Sequence, residues 1–248
     1  METQTPIGMI REFNKYYKAQ KGDLWLDGVD DYYTQLAYNT RNEVIAKIVN
    51  ELNPPSILDI GCGMGDLVLK LDNHARLIRG VEPSLANAIK FMKNTGYQAY
   101  NDTAEDIKHV ADRSFHLAIM ADVIEHVYDP YKAIGEALRV LKVGGHLIIT
   151  TPNKFAEIVC SIGGKRFLTK MPVNEKLLSP HQLRKLVKKQ PYDTTLIQWN
   201  MKGVYPRSAI LSKVFDPKNK NLCRLLDLLD KFEVFRYRHI VMVNKLKW

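Results

Sequence analysis

The stretch Ile57-Leu58-Asp59-Ile60-Gly61-Cys62-Gly63-Met64-Gly65-Asp66 limits what this chain can fold into more than any other. A short apolar run breaks abruptly into glycines at every second position, the pattern of a buried strand that turns at once toward a helix. Such a turn lies at the carboxyl end of its strand, where open α/β sheets bind ligands. Two familiar ligands fit it poorly. A triphosphate loop ends in Gly-Lys-Ser/Thr, whereas Gly65 is followed by Asp66-Leu67. A dinucleotide loop sets its third glycine three positions beyond the second. Here that glycine comes one residue early, and Asp66 puts a negative charge where a phosphate would sit. The loop is suited to a ligand that approaches the backbone closely and carries no phosphate.

Around the loop the chain alternates. Strand candidates at 56–60, 76–82, 96–100, 115–121 and 145–151 are separated by helical candidates at 67–73, 85–94, 104–110 and 130–142. This is the signature of βαβ units around a parallel sheet, and it predicts a doubly wound α/β fold. An amphipathic helix over 39–52 precedes the first strand and is closed by Pro54-Pro55. Beyond 152 come a helix opening at Ser179, a strand at 194–199, a mixed insertion over 200–235 and a last strand at 239–246. One domain over 1–248 is expected: a helical, aromatic-rich cap (1–52), a ligand-binding core (53–153) and a C-terminal elaboration (154–248).

Charge divides the same way. Residues 1–150 hold 16 Lys and Arg against 20 Asp and Glu, while 151–248 hold 20 against 7, so the formal charges are −4 and +13. A basic half suggests an anionic partner, or simply a solvated face. Cys62, Cys160 and Cys223 form no Cys-x-x-Cys pair, so neither a disulfide framework nor a zinc site is expected. With no signal-peptide h-region and no apolar run of about 18 residues, the expectation is a cytoplasmic protein.

The motifs are similar to those of one family. The Asp59-x-Gly61-x-Gly63-x-Gly65 pattern resembles the first signature of the class I S-adenosylmethionine-dependent methyltransferases. Thr103-Ala104-Glu105-Asp106, MADVIEHVYDP (120–130), LKVGGHLIITTPN (141–153) and LSPHQL (178–183) narrow the resemblance to the subgroup with ubiquinone-biosynthesis O-methyltransferases. It implies a Rossmann-like, mostly parallel, seven-stranded sheet with an antiparallel last strand, and S-adenosylmethionine as cofactor. It implies too that Asp59, Gly61, Cys62, Gly63 and Gly65 surround the methionine end, with Ala121 nearby. Glu82, 21 residues beyond Gly61, is placed to accept both ribose hydroxyls, with Pro83 beside it. Thr103, Ala104 and Glu105 are the adenine candidates; many members carry an acid where this chain has Thr103. Arg41, 20 residues before Gly61, corresponds to an arginine that binds the methionine carboxylate, and an exposed surface arginine is the competing reading.

His126 follows the fourth strand on the ligand side, and its ordinary pKa of about 6.5 suits a general base. Two further roles stay open. Asp122, Glu125 and His126 at i, i+3 and i+4 would share a helix face and could hold a divalent metal, or Glu125 and His126 simply shape a turn. The expected reaction is O-methylation of a small hydroxylated acceptor, phenolic, quinone-like or lipid-like. The alternatives are N-methylation of an amine or RNA, and a non-catalytic scaffold or sensor that binds S-adenosylmethionine. No Asn/Asp-Pro-Pro-Tyr/Phe motif of base-amine methyltransferases occurs, which makes nucleic acid the weaker partner. Residues 154–170 interleave apolar with basic side chains, which fits peripheral contact with an anionic membrane or a lid over the pocket. Tyr17, Trp25, Tyr32 and Tyr33 line an aromatic acceptor pocket or belong to ordinary core. The sequence carries no signal for oligomeric state.

Overall fold

A computed structural model describes residues 32–71, 77–152, 177–200 and 238–247. The elements are α1 (Tyr32–Leu52), β1 (Ser56–Ile60), a single 3-10 turn (Val68–Lys70), β2 (Leu77–Val81), α2 (Leu85–Thr95) and β3 (Gln98–Tyr100). They continue with β4 (Phe115–Ala121), α3 (Pro130–Arg139), β5 (Leu141–Pro152), α4 (Pro180–Lys188), β6 (Asp193–Asn200) and β7 (Arg238–Lys247). Tyr17, Trp25, the basic segment 154–170 and residues 201–235 of the insertion lie outside the described residues.

The strands form one seven-stranded sheet in the order β3-β2-β1-β4-β5-β7-β6. Pairing is parallel from β3 through β5, and β7 runs antiparallel to both β5 and β6. The chain winds outward from β1 to β3, then crosses back to lay β4 on the other side of β1. That reversal opens a crevice at the carboxyl ends of β1 and β4.

Sequence alternation explains the layers. All five β1 residues are buried, as a central strand covered on both faces requires. Ile57 faces a cluster with Ile45, Ile48 and Val49 of α1, while Leu58 and Ile60 face one with Ala133, Ile134, Ala137 and Leu138 of α3. Asp129 caps α3 by accepting from the N–H groups of Tyr131 and Lys132. Ser179 and Gln182 close α4 with a reciprocal capping box, Pro180 occupying its first turn.

Three expected elements differ. The helix at 67–73 is reduced to the 3-10 turn within the described residues. The helix at 104–110 is a chain of turns, because its backbone is claimed by α3. Glu136 Oε2 accepts from Ile107 N at 2.9 Å, and Arg139 donates to Ile107 O and Val110 O. The helix at 130–142 stops at Arg139, and β5 starts at Leu141. There the fully buried Lys245 of β7 donates to Leu138 O at 2.9 Å and Leu141 O at 2.8 Å, satisfying carbonyls that a helix end leaves open.

Candidate cofactor and catalytic site

The glycine loop is bolted to β2: the N–H groups of Gly61 and Cys62 both donate to Val81 O. Its glycines do different work. A Cβ on Gly61 would lie 2.4 Å from Val123 Cγ2, and one on Gly65 would lie 2.4 Å from Thr95 Cγ2. Those two positions let the loop pack against the β4 loop and α2. A Cβ on Gly63 would meet nothing within 4 Å, although its φ of +54° still favours glycine. Gly63 therefore borders open space, where a ligand can reach the backbone. Cys62 points the other way, toward Gly80 of β2, and burial raises its thiol pKa well above the ordinary range, so it is not a poised nucleophile.

Glu82 is buried just beyond β2. Its Oε2 accepts from Gly63 N and its Oε1 from Ser84 N, both at 3.0 Å, so it ties the loop to the entry of α2. A carboxylate has further lone pairs, which leaves it able to accept from a ligand. Pro83 is half-buried beside it, and the Asn101 amide donates to the carbonyls of both Glu82 and Pro83 at 2.9 Å.

Arg41 is 3% exposed, which removes the surface reading. The periodicity of α1 puts it on the buried stripe with Ile45 and Ile48, and its guanidinium reaches the crevice. It pairs with Asp122 Oδ2 at 2.8 Å and donates to Ala121 O at 3.3 Å and to Asn42 Oδ1. Asp122 has φ +57°, unusual for a residue with a side chain. It is latched there by Thr150, whose O and Oγ1 accept from its N–H and whose hydroxyl donates to its Oδ1.

Asp59 is buried at the end of β1. No described hydrogen bond reaches its Oδ2, and burial pushes its carboxyl pKa up to about 7 despite the opposing field of Arg41. On the β3 side Thr103 is also buried with its Oγ1 unsatisfied. Buried Ala104 lies next to it, but Glu105 is turned to the β4 loop, where Oε1 accepts from Tyr128 N at 2.7 Å. Glu105 thus shapes that loop, and Thr103 is the adenine candidate that retains an open hydrogen bond.

The metal cluster does not assemble. Residues 122–126 form a turn rather than a helix, beginning from the left-handed Asp122, so the i, i+3, i+4 spacing no longer gathers one face. Asp122 goes to Arg41 and Thr150, while Glu125 accepts from Thr151 Oγ1 at 3.1 Å. Among the described residues no group of three His, Cys, Asp or Glu is arranged for a metal ion. His126 closes the turn, its N–H donating to Val123 O, and burial lowers its imidazole pKa to about 4.

Residues 58–149 match the methyltransferase-domain family. The ubiquinone biosynthesis O-methyltransferase of Bradyrhizobium sp. (strain ORS 278) is 29% identical over 170 residues, which span 64% of this chain and 65% of that protein. The match runs from β1 to within β5 and is to a methyltransferase domain. Solved methyltransferases share the fold. A Thermotoga maritima protein described as a possible histamine N-methyltransferase superposes with a TM-score of 0.59 at 20% identity, covering 96% of this chain and 98% of that one. The plantazolicin methyltransferase BamL, solved with S-adenosylhomocysteine, superposes with a TM-score of 0.59 at 15% identity, covering 98% and 100%.

The chemistry of the crevice fits S-adenosylmethionine. An unmatched buried carboxyl at Asp59 answers a cationic ligand, and an unsatisfied hydroxyl at Thr103 answers a polar ring edge. The backbone at Gly63 is open to a ligand. Sequence reasoning missed Asn42, Thr150 and Asp102. Asn42 orients Arg41; Asp102 grips His109 through its N–H and Nδ1, and the His109 ring stacks on Tyr100. The available signal for Asn42 was a polar residue on the buried stripe of an amphipathic helix.

Proposed function

We propose that this methyltransferase methylates a hydroxyl of a small acceptor, with a phenolic or quinone-like ring favoured over an alkyl alcohol. S-adenosylmethionine supplies an electrophilic methyl on a sulfonium, so the leaving group needs no acid. The protein's work is to align the acceptor and take its proton. In this reading the backbone of Gly61, Cys62, Gly63 and Gly65 lines the methionine end with Asp59, Ala121 and Arg41. Glu82 and Pro83 hold the ribose, and Thr103 and Ala104 hold the adenine.

The observation that carries the acceptor class is His126. A half-buried imidazole lowered to about 4 is neutral throughout the neutral range, hence always ready to accept a proton, but it is a weak base. A phenol of pKa about 10 asks far less of it than an alkyl alcohol does. The similarity to the Bradyrhizobium ubiquinone biosynthesis O-methyltransferase supports the same reading. The basic C-terminal elaboration is proposed to set acceptor specificity, with contact to an anionic membrane through 154–170. Among the described residues no helix is long and apolar enough to cross a membrane. Sedimentation with liposomes that shows no dependence on anionic lipid removes the membrane role.

The test is turnover of S-adenosylmethionine against a panel of phenols, quinol precursors, amines and RNA. Methylated phenol is expected, with His126→Ala reducing kcat at least about 100-fold while cofactor affinity holds. Methylation of amines or RNA alone overturns the hydroxyl assignment. Cofactor binding with no product from any acceptor favours the scaffold reading.

A further inference from the structure

The site's charges are unevenly matched. At the carboxyl end of the sheet stand Arg41 from α1, Cys62 and Asp66 on the glycine loop, Glu82 beyond β2, and Asp122, Glu125 and His126 beyond β4. Glu82 is held by two backbone N–H groups, and Asp122 by Arg41 and Thr150. Asp59 is different. It is 2% exposed, and its Oδ2 receives no described hydrogen bond. Arg41 is close enough to favour the ionised carboxylate, but its described bonds go to Asn42, Ala121 and Asp122. An ionised carboxylate so placed is expensive, and a buried acid in that position keeps its proton instead.

We propose that Asp59 carries a proton in the cofactor-free protein and releases it to solvent when a ligand bearing an ammonium or sulfonium charge enters the crevice. This rests on the reading of the crevice as the S-adenosylmethionine site. The proton passes from Asp59 to bulk buffer, and the incoming cation takes over the compensation of the carboxylate. Asp59 thereby selects for charge as well as shape. The raised carboxyl, titrating at about 7, sets the window. S-adenosylmethionine affinity should rise roughly tenfold from pH 6 to pH 8, almost all of it below pH 7.5.

Calorimetric titration of S-adenosylmethionine into the full chain at pH 6.5, in two buffers of different ionisation enthalpy, reads the coupling directly. About 0.8 proton released per ligand bound is expected. Asp59→Asn should abolish the release and flatten the pH dependence. With the wild-type protein, 5′-methylthioadenosine, which keeps the adenosine but carries neither ammonium nor sulfonium, should bind without release. This second arm does not depend on the variant folding. Equal heats in the two buffers, equal release with 5′-methylthioadenosine, or release that persists in Asp59→Asn each overturn the proposal alone. Absence of any S-adenosylmethionine binding overturns the cofactor reading, and this inference with it.

Discussion

The two ends of the sheet are built to different standards. At the amino end the polar groups are matched to one another. Ser56 Oγ and His116 Nδ1 lie 2.8 Å apart, Ser56 also accepts from His116 N, and Lys142 reaches the far ring nitrogen at 3.5 Å. Arg139 is shared among Glu136, Asp112 and two carbonyls, and Lys245 closes the end of α3 over the Tyr192 ring. At the carboxyl end Asn42 Nδ2, Asp59 Oδ2 and Thr103 Oγ1 are buried without a described partner, and Asp122 sits in a left-handed conformation. A buried polar group left unsatisfied costs about 1–3 kcal/mol. Such costs gathered at one end of a sheet mark the place where a ligand completes the structure, while the other end holds the fold.

That contrast can be broken, and the largest lever is Asp59. Between about pH 4 and pH 7 its native carboxyl retains a proton that the unfolded chain has lost, so wild-type stability falls as pH rises through this window. Asp59→Asn lacks the penalty. The variant should gain on the wild type by up to about 4 kcal/mol between pH 4 and pH 8 in urea titrations. A constant difference across that range would mean that the site is not frustrated.

Lys245→Ala tests the opposite end. It removes the Nζ donor from the carbonyls of Leu138 and Leu141 and opens a cavity, a loss of about 3 kcal/mol measured by denaturant unfolding. S-adenosylmethionine affinity of the folded variant should stay within about twofold, because the cation is remote from the crevice.

Gly65→Ala and Gly63→Ala sharpen the comparison within the loop. The first forces a Cβ into Thr95 at a φ of +100° and should cost about 2–3 kcal/mol of stability. The second meets open space and should cost only about 1 kcal/mol for its positive φ. It should instead weaken cofactor binding, since the new methyl occupies the ligand's approach.

The smallest effect belongs to His116, whose imidazole is lowered by burial and by Lys142. Protonation there is opposed in the native state, so its contribution is present above pH 6.5 and fades as pH falls below it. NMR titration of the ring should place its midpoint below that of a free histidine. A midpoint at or above the free value would show that Lys142 does not face the ring.

Much of this was legible in the chain. β1 and β4 begin and end where their apolar runs set them, and the capping box at Ser179-Gln182 announces α4. Glu82 and the glycine spacing located the crevice. The 104–110 segment was not legible as turns. Its apolar spacing suits a helix, and only the arrival of Glu136 and Arg139 from α3 supplies its backbone with other partners. The Asp122-Glu125-His126 spacing misled for a related reason, because a helical period has meaning only inside a helix. The hold of Glu105 on the β4 loop was not legible because the groups it serves, Tyr128 N and Asp129 N, are 23 and 24 residues away.

The chain's local patterns therefore determined the strands, the winding of the sheet and the position of the crevice, since periodicity, caps and glycine turns act over a few residues. Tertiary structure alone decided the chemistry inside it. Whether Asp59 keeps a proton, whether Arg41 is buried, and how weak a base His126 becomes depend on desolvation and on charges brought in by α1, β2 and β4. Electrostatic energies in a buried site are set by what lies within a few ångströms, and those neighbours come from distant parts of the sequence.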